Sequence, residues 1–458
     1  MLVSATYYTS SGQSLFFPEY SNPTTNNGVA RNADDERARN FYGQIGFGKF
    51  FLRGAAVSRE KGIPTGAFGT VFNNPSTRTF DNFRSFDAQY HAPIARGWEL
   101  SLRGSYDLYS YDGRYLWSDP TLPDPILNAD GCRGEWWGAE ASIYHQFPAH
   151  NKVTAGLEVR DDFRQDQFSY DVQPYWSYLD DKRKSWMAAL YVQDEITLSP
   201  KIVLNLGFRH DRYSTFGGTT NPRAALIYQP GRGATLKFLY GTAFRAPSAY
   251  ELYYRSFIIK NNPRLVPETI RTFELIFEKD LRRHLHMAIS GYDNKLGNLI
   301  NQTADPADGL AFFQNLGRVK SRGAELELTA RWLTGLEGRA SYSLQRTTDR
   351  ATGLALSNSP LHMAKLGLIV PVVRNNLFVS LDSWYMSRRR TLSGSSIGGF
   401  PVFNSTLLSR NLGKHTEFSA GLYNLFDKNY ADPGAEDHMQ DALQQDGRNF
   451  RVKLTFRF

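Results

Sequence analysis

Apolar and polar residues alternate one by one along most of this chain, most sharply at its end. Phe450, Val452, Leu454, Phe456 and Phe458 share one face of an extended segment, and Arg451, Lys453, Thr455 and Arg457 share the other. Successive strand side chains point to opposite sides of a sheet, so this is a strand greasy on one face and cationic on the other. The period recurs upstream. Ala324, Leu326, Leu328, Ala330 and Trp332 stand against Glu325, Glu327, Thr329 and Arg331, and the next segment sets Leu336, Gly338, Ala340, Tyr342 and Leu344 against Glu337, Arg339, Ser341, Ser343 and Gln345. Counting such segments predicts about 20 strands and no convincing helix. A soluble sheet edge accommodates one such strand. A long series with so polar a second face fits a transmembrane antiparallel β-barrel, lipid outside and water within.

The connections carry a second rhythm. Short turns are expected near 48–49, 148–150, 199–201, 230–233, 333–335, 373–375 and 413–414. Long polar connections are expected at 18–38, 59–79, 113–131, 162–182, 245–266 and 430–447. Tight turns on one side and long loops on the other are the habit of barrels with short periplasmic turns and large extracellular loops. An even strand number then puts both chain ends on the short-turn side. A β-propeller would instead repeat every four strands, and no such repeat is present.

Composition narrows the choice. The chain has 458 residues, 41% hydrophobic and 14% aromatic, and no run approaches the ~18–20 apolar residues of a membrane helix. Twenty-five Tyr, 31 Phe and 8 Trp suit aromatic girdles at two interfaces. One cysteine, Cys132, forms no internal disulfide. The net charge of +8 is spread along strands and loops rather than gathered in a patch. It reads as a cationic lumen and cationic loops suited to anionic ligands or lipid phosphates, not as a nucleic-acid surface. The first residues lack the basic start and apolar core of a signal peptide and already alternate like a strand.

Several segments then carry a likeness. They are Tyr240-Gly-Thr-Ala-Phe-Arg-Ala-Pro-Ser-Ala-Tyr-Glu-Leu-Tyr254, Asn262-Pro-Arg-Leu-Val-Pro-Glu268 with Thr272-Phe-Glu-Leu275, Asn315 to Glu327, Gly421 to Tyr430, and the terminal Phe458. In this order and spacing the chain resembles the TonB-dependent outer-membrane receptors along essentially its whole length. The resemblance implies a barrel of about 22 strands, an N-terminal plug, and TonB-coupled uptake of a bulky scarce ligand such as an iron-siderophore complex or cobalamin. It also implies the outer membrane of a Gram-negative bacterium, with lipid and lipopolysaccharide around the barrel. Against that pattern, residues 1–458 read as one barrel domain without the plug and the first strands, so that TonB would act only through a plug missing from this chain. A passive porin-like channel and a non-functional truncated receptor fragment are the alternatives.

Chemistry-bearing residues are few. The segments 109–117 and 250–255, read as loops, mix aromatics with arginine, which suits stacking on and charge pairing with planar anionic groups. Tyr111, Arg114, Trp117, Tyr254 and Arg255 are the candidate ligand-binding residues. His284 and His286 are a feasible metal pair beside a turn, although a solvated or interfacial pair accounts for them far better. No nucleophile elbow, phosphate loop or cysteine cluster is present, so neither enzyme activity nor a cofactor is expected. Gly323 is expected to relieve crowding or to allow a bend in a long strand.

Overall fold

The computed structural model describes residues 1–147, 151–374, 376–410 and 415–456. Twenty strands form one antiparallel sheet in which each bonds to its neighbours along the chain. The first eight are β1 (Leu2–Ser10), β2 (Glu36–Phe47), β3 (Phe50–Gly62), β4 (Arg78–Ala95), β5 (Trp98–Trp117), β6 (Ile126–Gln146), β7 (Asn151–Asp171) and β8 (Trp176–Ser199). The next six are β9 (Ile202–Tyr213), β10 (Gly217–Gly231), β11 (Ala234–Arg245), β12 (Glu268–Arg282), β13 (Leu285–Ala304) and β14 (Ala311–Arg331). The last six are β15 (Glu337–Asp349), β16 (His362–Val373), β17 (Leu377–Met386), β18 (Phe400–Ser409), β19 (Thr416–Tyr423) and β20 (Asn449–Phe456). The predicted turns at 148–150 and 413–414, the Asn375 end of a third, and Arg457 and Phe458 lie outside the described residues.

The wall is inverted relative to a soluble protein. Leu157, Leu190 and Phe450 are 60%, 51% and 78% exposed, whereas Asp87, Asp211 and Gln167 are buried. Apolar exposure on this scale around a whole sheet requires a hydrocarbon solvent. Along β6 the outward positions run from Ile143 to Trp137 and then change to Glu135 and Arg133. Glu135 takes an ion pair from Arg164 of β7 at 2.8 Å, and Arg133 pairs with Asp112 of β5 at 2.7 Å. The greasy part of β6, 137–146, is thus ten residues long, the length that a tilted strand needs to cross a bilayer. Trp137 and its cross-strand partner Tyr106 mark the upper interface, and Trp98 stacked on His145 marks the lower. The inner face is lined with neutralised charge. Asp87 bonds both Arg53 and Arg103, and Arg209 bonds Glu158 and Asp211. Some of the lumen cations predicted from the sequence are therefore paired with acids.

Two inward tyrosines lie over glycines. A Cβ on Gly323 would stand 2.5 Å from the Tyr292 hydroxyl and 2.7 Å from the Leu344 carbonyl, so the predicted crowding is real. Tyr191, whose hydroxyl donates to Glu140 at 2.6 Å, covers Gly156 in the same way.

The sheet has a seam. β1 pairs only with β2, and β20 only with β19; among the described residues no register joins β1 to β20. Both edge strands are exposed along nearly their whole length. Loops bridge the seam at the long-loop end. The Gln13 side chain donates to Asp446, the Phe68 amide to the Asp437 carbonyl, and the Gln440 side chain to the Thr65 carbonyl.

Two expectations need correction. The segments 113–131 and 162–182 are mostly strand, and their true connections are 118–125 and 172–175. Above the membrane both faces of a strand are polar or aromatic, so no apolar alternation marks it. Among the described residues there is also one short α-helix, α1 (Ala249–Tyr253), besides three 3₁₀ turns at Pro18–Tyr20, Pro23–Gly28 and Ala67–Gly69.

Candidate ligand chamber at the outer mouth

α1 forms because Ser248 and Glu251 cap it reciprocally. The Ser248 hydroxyl accepts from the Glu251 amide at 3.2 Å, and the Glu251 carboxylate accepts from the Ser248 amide at 2.8 Å. Arg245 then clamps both ends of the 246–267 loop through bidentate bonds to Glu251 and Glu268. The clamped loop folds inward over the tall strands. Gln167 of β7 donates to the Ala249 carbonyl at 3.0 Å, and Tyr254 donates to Asp130 of β6 at 2.6 Å. Phe257 meets Trp117 edge-on at 5.7 Å, and the Arg183 guanidinium lies 3.7 Å over the Tyr253 ring.

Beneath this loop is a half-open chamber of about 900 Å³, bordered elsewhere by the upper parts of β5–β7, by Gln302 of β13 and by the 63–77 and 424–448 loops. Phe68, Tyr111, Tyr115, Trp117, Tyr250 and Phe257 give it an aromatic lining, and the bond from Tyr254 to Asp130 ties its roof to β6. A smaller recess of about 250 Å³ behind Tyr111 and Tyr254 reaches Trp136 and Arg160. The chamber stands above the bilayer: Asp130 lies well past Trp137, where the outward face of β6 has become charged.

Burial governs the chemistry of the lining. It pushes the Asp130 carboxyl up to about 6, against the opposing hydrogen bonds from Tyr254 and Ser169. It also pushes the Tyr115 and Tyr250 hydroxyls up to about 12, and those of Tyr111 and Tyr254 further. The phenols therefore stay neutral donors, and Tyr111 and Tyr115 bond each other.

Of the predicted binding residues, Tyr111, Trp117 and Tyr254 come together here, and Arg114 and Arg255 do not. The segment 109–117 is strand rather than loop, so odd positions face the chamber and Arg114 points outward, stacked on Phe80 at 5.2 Å. Arg255 is exposed and outside the lining. Sequence reasoning missed Tyr115, Asp130, Phe257 and Phe68. Strand parity through Trp117 would have added Tyr115 and removed Arg114; nothing local marks Asp130 or Phe68, which distant loops bring in. His284 sits in a turn, while His286 bonds Asp280 at 2.9 Å. Among the described residues no group of three or more His, Cys, Asp or Glu side chains is placed to hold a metal.

Comparison with known proteins bears on the whole wall. The model of the TonB dependent receptor-like β-barrel matches residues 6–425. A vitamin B12 transporter, BtuB of Vibrio cholerae serotype O1, is 29% identical over 239 residues, covering 50% of this chain and 36% of the transporter. The chain thus spans well under two thirds of that relative. Among solved structures, the copper transporter OprC superposes with a TM-score of 0.78 at 14% identity, covering 100% of this chain and 76% of its own. The siderophore receptor PirA from Acinetobacter baumannii gives 0.76 at 14% identity, covering 100% and 75%. At such identities the structures speak for the fold.

Proposed function

This chain belongs to the family of TonB dependent receptor-like β-barrels, and we propose that it forms the outer-membrane wall of a Gram-negative receptor that takes up a bulky, scarce ligand such as an iron-siderophore complex or cobalamin. The observation that carries the reading is the aromatic chamber of about 900 Å³ at the outer mouth, roofed by a clamped loop. That volume lies at the upper end for small-molecule sites, about 300–1,000 Å³, and outruns what a simple ion needs. Ligand meets Tyr111, Trp117 and Tyr254 in the chamber; Arg114 and Arg255 take no part. TonB acts through a plug seated against the ion-paired inner face, not through the wall. Lipid and lipopolysaccharide surround the greasy belt.

The ring is completed by further pairing at the seam. β1 rises from the short-turn side and β20 descends to it, so the gap accepts an even number of strands, and one up-down hairpin satisfies both edges.

The test is a panel of ferric chelates and cobalamin titrated against purified protein and against a variant with Tyr111, Tyr115 and Trp117 all changed to Ala. A ligand that binds the first and loses at least about tenfold with the second supports the reading. A bound ligand indifferent to the triple change refutes it. A passive pore is the second reading, favoured by the charged inner face. Steady conductance of the purified chain across planar bilayers, unchanged by every ligand of the panel, would establish it.

A further inference from the structure

Resting on the reading of the chamber as the ligand site, we propose that it selects ligands with a cationic group on an aromatic or apolar body, and that Asp130 is the specificity-determining residue. The chain carries 53 Lys and Arg against 45 Asp and Glu, yet none of those cations lines the chamber, whereas Asp130, Glu436 and Asp437 do. The nearest cations are already engaged. Arg133, Arg160 and Arg164, which line the adjoining recess, bond Asp112, Asp162 and Glu135; Arg183 bonds Asp181 and stacks on Tyr253, and Lys260 is held between Asp305 and Asp308.

An anionic ligand entering here finds no Lys or Arg in the lining and faces the carboxylates of Asp130, Glu436 and Asp437. A cation instead meets the Asp130 carboxylate and the negative faces of Tyr115, Trp117 and Tyr250. The groups around Asp130 are Tyr111 and Tyr115 from β5, Cys132 and Arg133 along its own strand, Ser169 from β7, Tyr250 and Tyr254 from the roof, and His438 across the chamber. The four tyrosines remain neutral, so Asp130 supplies the fixed negative charge on the β6 side.

Three xanthene dyes of one shape test this: rhodamine 6G (cation), rhodamine B (zwitterion) and fluorescein (dianion), followed by anisotropy on the full chain in uncharged detergent at pH 8. The cation should bind at least about tenfold tighter than the dianion, the scale of one charge contact near a protein surface. Asp130→Asn should erase most of that preference, and Trp117→Ala should weaken all three dyes. As pH falls through about 6, rhodamine 6G, whose own charge is fixed, should lose affinity for the native chain by more than it does for the Asn variant. Should Asp130→Asn fail the heat-modifiable mobility check for folding, Ser169→Asp adds a second carboxylate and should steepen the preference; no steepening counts against the proposal. Fluorescein binding as tightly as rhodamine 6G, while still sensitive to Trp117→Ala, overturns the charge selectivity and leaves the chamber standing. Dye binding indifferent to both residues overturns the chamber as well.

Discussion

β4 to β8 carry 18 to 24 residues each, and β16 to β20 only 8 to 12. A tilted strand crosses the hydrocarbon in about 9–11 residues, so the low side of the wall does little more than span the membrane. The tall side has a second storey, and its rules differ. In the lower storey lipid fixes the outward face as apolar. In the upper storey the outward face turns to Glu135, Arg164 and Arg133, and the inward face turns to aromatics and acids, Asp130 among them. Height without lipid contact is what lets this side carry a site.

The contrast can be broken most forcefully at the lower storey. Leu157→Arg, on the lipid face about seven residues above the lower turn, should cost about 2–4 kcal/mol in urea unfolding from vesicles. Thr154→Arg, inward on the same strand, should cost close to nothing. Equal costs would erase the distinction between the faces.

The upper storey should show an opposite trade between stability and binding. Folding raises the Asp130 carboxyl to about 6 from an ordinary value near 3.9. Between those pH values the folded chain holds a proton that the unfolded chain has lost, so stability falls as pH rises through that window and stays lower above it. Asp130→Asn should therefore stabilise by on the order of 1–3 kcal/mol at pH 8 and by nothing below about pH 4. Urea midpoints at the two pH values check this. A loss of stability at pH 8 would mean that the carboxylate is well solvated.

A smaller and local effect belongs to the roof. Ser248→Ala removes the reciprocal cap of α1 at a cost of about 1 kcal/mol, too little to move the global transition far. It should appear as faster proteolysis within 246–267, with β6 to β8 unchanged. Unaltered cleavage there would mean that the Arg245 clamp alone holds the loop.

These differences explain what could be read in the chain beforehand. The lower storey was legible because lipid enforces strict alternation, as in Phe450, Val452 and Leu454, and the count of about 20 strands matches the sheet. Where the hydrocarbon ends, alternation loses its apolar half. So 113–131 and 162–182 read as loops, and Arg114 read as a neighbour of Trp117 when parity puts it on the opposite face. Asp130 meets Tyr254 across 124 residues of sequence, a contact set by ring closure and loop folding rather than by any local pattern. The same holds for Phe68, which the seam-bridging bond to Asp437 brings to the chamber.

The claim on which all of this rests is that the tall strands leave the lipid partway up. Single nitroxides at Leu157→Cys, Thr154→Cys and Arg164→Cys, in a Cys132→Ser background reconstituted in lipid, test it directly through relaxation by oxygen and by a water-soluble nickel chelate. The account predicts oxygen-dominated relaxation at 157 alone, with chelate-dominated relaxation at inward 154 and at outward, upper 164. A lipid-like signature at 164, or a water-like one at 157, would contradict it.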